Sequence, residues 1–192
     1  MSSLQTFTAA HGKDGSIMVI DHSENFSGES VTVYLFLRGV LEHSMVAYLE
    51  IIPDLDSERN ALSISIVDVV GGSRGGSNCN KGFGSQLMNV AFAFIKGVYS
   101  FQPLESISVS GKMSDVGDHD EDDHLRRVHY WKKMGMTIKD ESDHLSLIKS
   151  TLEKCNSTTI EPIKLEATGL VEAFIQAKEL AACHSFDFEH SA

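Results

Sequence analysis

The chain predicts an α/β (α+β) fold, a mixed and mostly antiparallel central sheet flanked by helices with a helical extension at the C-terminus. Three observations predict it. Runs of strand length, β-branched and aromatic, stand at residues 30–37, 44–52 and 61–70. A helix-spaced apolar segment follows the third run, across a loop rich in glycine. Short alternating segments then recur on either side of a second helix. With 192 residues, 42% of them hydrophobic, the chain suits one domain with a sizeable core and an appendage, divided at 1–150 and 151–192.

The elements follow in order. "SVTVYLFL" (30–37) is a buried strand, residues 38–43 turn, and "SMVAYLEII" (44–52) is a second strand that Pro53 and Asp54 should end. "ALSISIVDVV" (61–70) alternates Leu62, Ile64 and Ile66 with Ser63 and Ser65, then turns apolar on both sides near residues 67–70. In residues 86–96, Leu87, Val90, Ala91, Phe94 and Ile95 fall on one helical face, and Gly97 is placed to stop the helix. "ESISVSG" (105–111) is a short strand. Asp122 or Asp123 should cap the helix "HLRRVHYWKKM", which Gly135 stops. "MTI" (136–138) and "HLSLIK" (144–149) close the sheet. Residues 151–164 read as a connector, residues 166–183 as one helix, and residues 1–39 contain no convincing helix.

Three cysteines, Cys79, Cys155 and Cys183, have no C-x-x-C spacing and suggest neither a disulfide framework nor a zinc site, so a reducing compartment is expected. No apolar run is long enough to cross a bilayer and residues 1–16 do not resemble a secretory leader, so a soluble cytoplasmic protein with no membrane partner is expected. With 27 acidic and 16 basic side chains the formal charge is −11. That disfavours nucleic acid and favours encounter with a cationic small molecule or basic peptide.

The segment "NCNKGFGSQLMNVAFAFIKG" (78–97) sets a glycine loop before a helix whose first N–H groups and dipole attract an anion. A Walker A loop needs Lys after the last glycine, but Lys81 precedes Gly82. A G-x-G-x-x-G dinucleotide fingerprint fails because Leu87 follows Gly82 and Gly84 at the third position. There remains "NKGFGS" (80–85), joined fifty residues on to "HYWKKMGM" (129–136). This pair resembles the GNAT superfamily of acyl-CoA-dependent N-acetyltransferases, in which a Gln/Arg-x-x-Gly-x-Gly/Ala loop binds the CoA pyrophosphate and a later helix ends in a pattern like F-Y-x-K-x-G-F.

The resemblance implies acetyl-CoA as co-substrate, held by Val69, Val70, Cys79, Asn80, Lys81, Gly82, Phe83, Gly84, Ser85 and Trp131. Cys79 stands where the family has Gln or Arg, and residues 71–78 lengthen the loop, with Arg74 either turned back to a phosphate or solvated. Acetyl transfer needs a neutral amine, whose unperturbed pKa is about 10.4, so a base must take its proton. Asp68 in "IVDVV" and Glu50 in "YLEII" are the candidate bases, against a structural role at a sheet edge or turn. The family's Tyr acid sits four residues before the helix-ending glycine, which here is Trp131. Tyr130 is the candidate acid, but it lies about 100° round the helix. Either it reaches by a helix shift, or another group or water serves, or no acid is needed. Trp131 itself has the spacing of a core residue with Leu125 and Val128.

The acids Asp118, Asp120, Glu121, Asp122 and Asp123, with His119 and His124, lack EF-hand spacing, and no metal site is expected. A solvated, helix-capping segment or a path for a cationic amine are the alternatives. The expected function is transfer of acetyl to a primary amine of a small molecule, polyamine or protein. The alternatives are a GNAT-like binding module without catalysis, and an interaction protein using the stripe Leu170, Val171, Phe174, Ile175 and Leu180, which would otherwise pack on its own domain or pair two copies in a homodimer.

Overall fold

The structure, a computed structural model, describes residues 4–11, 16–25, 28–37, 44–71, 82–113, 121–158, 162–163 and 175. The strands are β1 (Leu4–His11), β2 (Ile17–Asn25), β3 (Gly28–Leu37), β4 (Ser44–Leu55), β5 (Ala61–Gly71), β6 (Ser108–Lys112), β7 (Thr137–Ile138), β8 (Leu147–Thr151) and β9 (Pro162–Ile163). Among the described residues two α-helices, α1 (Phe83–Val98) and α2 (Glu121–Lys133), accompany the strands in an α+β fold. The strand order β7-β8-β6-β5-β4-β3-β2-β1-β9 makes one mixed sheet. Every neighbouring pair is antiparallel except β5 and β6, which are parallel because α1 carries the chain across between them.

Alternation along the strands decides the core. Ile20, Val33, Leu49, Ile64, Val109 and Ile148 face the side covered by α1 and α2, and each is essentially without exposed surface. Helix α1 contributes Leu87, Met88, Ala91, Phe92 and Ile95 to the same core, while Phe94 is only partly buried against it. On the other side of the β1 to β4 half, Val19, Tyr34, Phe36 and Tyr48 form a second, smaller cluster with Ile163.

Several boundaries move for identifiable reasons. The β4 strand runs through Pro53 to Leu55, since its ladder with β3 has already ended at Ile51 and Pro53 pairs only with Ile64 of β5. Helix α1 passes Gly97 and ends at Val98, with Tyr99 as its C-cap at φ −100. Helix α2 begins at Glu121, so Asp122 and Asp123 lie in its first turn and do not cap it, and Asp123 is ion-paired with Arg126. Gly135 does end the helix, at φ +86, and a Cβ there would lie 2.2 Å from the Lys154 carbonyl oxygen.

Residues 1–39 hold three strands where sequence reading found one. The stretch after β8 is built into the domain: Leu152 and Cys155 are core residues, and Lys96 of α1 donates to the carbonyls of Cys155 at 2.6 Å and Glu153 at 3.2 Å. The turn at 38–43, the loop at 72–81 and the expected helix at 166–183, apart from Ile175, lie outside the described residues.

Candidate functional site at the end of β5

The site is built on irregularities in β5. Its register against β4 shifts twice, so that Glu50 pairs with Asp68 but Ile51 pairs with Ile66, and Asp54 pairs with Ser63 but Leu55 with Ala61. The extra residues, Val67 and Leu62, are 53% and 52% exposed, as expected of bulged positions that leave the ladder. On its other side β5 pairs with β6 only from Ser63 to Ile66, opposite Ser108 to Gly111, and β6 ends at Lys112. Residues 68–71 of β5 therefore keep their β4 partners, and residues 67–71 have none on the β6 side among the described residues. Such an edge offers backbone donors and acceptors to an extended ligand.

The chain brings the N-terminus of α1 to that same end. Directly after the helix, Gln102 pins itself to Ala61, the first residue of β5, accepting from its N–H at 3.1 Å and donating to its carbonyl at 2.8 Å. The C-terminus of α1 thus lies at the start of β5, and its N-terminus lies one helix length away, about 24 Å, toward residues 67–71. Gly82 is the N-cap, in the left-handed conformation at φ 77, and it makes no side-chain cap; the first turn contains no acid. The Gln86 N–H is the first taken up inside the helix, by the Gly82 carbonyl at 3.0 Å. The N–H groups of Phe83, Gly84 and Ser85 have no acceptor within the helix.

Helix α2 supplies the side chains beside this turn. Its inward stripe is His124, Val128 and Trp131, continued by Met134, whereas Leu125 is 54% exposed. Trp131 is a core residue at 7% exposure, with the Tyr130 ring against it edge to face at 5.0 Å. Tyr130 turns instead toward α1, where its hydroxyl lies 3.4 Å from the position a Cβ on Gly84 would take. That hydroxyl oxygen is cut off from solvent and has no hydrogen-bond partner among the described residues. Burial pushes its ionisation well above the usual tyrosine range.

The two expected bases stand on one ladder step. Glu50 on β4 is the direct cross-strand partner of Asp68 on β5, and the same row continues through Thr32 on β3 to Asp21 on β2. Asp21 is 5% exposed and accepts from the Ser23 hydroxyl at 3.2 Å. Tyr34, one step along β3, is pushed up to about 12, first by burial and then by the charges of Asp21 and Glu50. Its ring lies 6.4 Å from that of Tyr48. Sequence reading missed Asp21, although an acid within the apolar run "IMVID" carries the same signal as Asp68 in "IVDVV".

Of the residues expected to hold a coenzyme, Gly82 to Ser85 form the open first turn and Val69 packs on the core side of β5. Val70 is the ladder partner of Tyr48, and Cys79, Asn80 and Lys81 lie outside the described residues. Cys155 is no nucleophile, since burial pushes its thiol up to about 11. Among the described residues no helix is long and apolar enough to cross a membrane. Comparison of the chain with protein-family models finds no match, and comparison with curated proteins finds none either.

Proposed function

We propose that the chain is an acetyl-CoA-dependent N-acetyltransferase of the GNAT kind acting on a primary amine. The observation that carries the reading is a coincidence of three features among the described residues at one end of β5: a strand edge without a partner on its β6 side, a helix start on Gly82 without a side-chain cap, and two carboxylic residues on one ladder step. Each suits one part of the reaction. The amides of Phe83, Gly84 and Ser85 would receive the coenzyme's pyrophosphate. The edge at residues 67–71 would hydrogen-bond the amides of the pantetheine arm, which would bring the thioester toward Glu50 and Asp68.

The chemistry then needs one base. The amine lone pair attacks the thioester carbonyl, the C–N bond forms as the C–S bond breaks, the amine proton passes to a carboxylate, and the departing thiolate takes up a proton. Two ionised acids on one step of a sheet repel each other. A cationic amine drawn to that ladder step would give one proton to a carboxylate before its lone pair attacks. The formal charge of −11 also favours a cationic acceptor.

Titration of the protein with acetyl-CoA, by calorimetry and by thermal shift, tests the reading. Coenzyme at a hundredfold over its dissociation constant should stabilise the fold by about 2.7 kcal/mol. Gly84→Glu, which adds bulk toward Tyr130 and a negative charge at the helix start, should abolish binding; unchanged affinity in that folded variant removes the site. Asp68→Asn and Glu50→Gln should lower turnover with little loss of coenzyme affinity. Trp131, buried where the resemblance expects a tyrosine acid, favours a second reading as a binding module without catalysis. Acetyl-CoA binding with no acetylation of polyamines or lysine peptides would select it.

A further inference from the structure

We infer that the Tyr130 hydroxyl is a hydrogen-bond donor to the anionic group bound at the N-terminus of α1, a positioning residue for the ligand, an inference that rests on the coenzyme reading above. Side chains of a helix tilt toward its N-terminus, so an atom 3.4 Å from the missing Cβ of Gly84 lies beside the first turn, on the side of its open N–H groups. The ring lies along the same approach, with two of its carbons 3.7 Å from that point.

Among the described residues both parties there lack an acceptor. The hydroxyl is buried without a partner among the described residues, a state rare in folded proteins and destabilising where it occurs. The first turn has neither a side-chain cap nor an acid. One anion with several acceptor oxygens satisfies the hydroxyl and the amides together, and away from water such charge-assisted bonds are strong. Because burial keeps the phenol protonated, it serves as a donor.

The test compares the full chain with Tyr130→Phe, which deletes only the oxygen, by calorimetry with CoA and by melting without ligand. The variant should melt at the same temperature or higher, and should bind CoA at least about tenfold more weakly. Equal affinity in the two proteins overturns this inference and leaves the coenzyme reading standing. Failure of the variant to fold, or a lower melting temperature with unchanged affinity, means the hydroxyl serves the fold and overturns it as well. A wild-type chain that does not bind CoA overturns both.

Discussion

Each end of α1 has a buried tyrosine hydroxyl, and the two are treated differently. At the C-terminal end, Tyr99 donates to Glu29 at 2.6 Å. Glu29 also receives Arg59 and lies 3.3 Å from His22 Nε2, while the His22 ring stands edge-on to Phe94 at 5.6 Å. The network ties β2, β3, the β4 to β5 turn and α1 together. At the N-terminal end, Tyr130 donates to nothing among the described residues and the helix start has no side-chain cap. A satisfied buried network stabilises the fold and needs nothing further, whereas an unsatisfied one is open to a ligand.

The largest effect should come from the satisfied end. Glu29→Ala removes the charged acceptor of the Tyr99 hydroxyl and the ion-pair partner of the half-exposed Arg59, and should cost about 3 kcal/mol in a urea melt. A loss under about 1 kcal/mol would mean that the network does not hold that end. Next comes acid. The bond with His22, followed by that from Tyr99 and the nearby charges, holds the Glu29 carboxyl down to about 2 from an ordinary 4.5. The unfolded chain therefore binds the extra proton, and this contribution is complete above pH 4.5 and is lost as pH falls from about 4.5 to 2. Glu29→Gln should flatten that limb of the stability curve.

Smaller effects sharpen the contrast between the two hydroxyls. Tyr99→Phe removes a donor to a charged acceptor and should cost about 1.5–3 kcal/mol. Tyr130→Phe removes a donor that has no acceptor, and its unliganded stability should stay within about 0.5 kcal/mol of wild type or rise. Equal losses in the two variants, measured by the same denaturant titration, would erase the distinction between the ends.

Elements whose pattern is local were legible. The runs that became β3, β4 and β5 were visible as apolar and β-branched stretches, and α1 as a 3.6-residue stripe behind its glycines. The first two strands were not. Residues 17–25, "IMVIDHSEN", are apolar for only four positions before the strand leaves the core and enters the polar network around His22. The pairing of Glu50 with Asp68 was also hidden, because the bulges at Leu62 and Val67 each shift the register by one residue and exchange the faces that simple alternation assigns. The candidate bases could be named singly from their apolar neighbours, but not as a pair.

The sequence by itself determined the segments with a strong local pattern: the runs of β3, β4 and β5, the apolar stripe of α1, and the glycines set between β5 and that helix. Those follow from propensity and period, which act over a few residues. Only the tertiary structure decided which polar groups find partners. Tyr99 and Glu29 are 70 residues apart, and whether they meet depends on sheet register and on the path of α1 across it. Tyr130 and Tyr99 are the same side chain, and only the folded surroundings leave one satisfied and the other without a partner among the described residues.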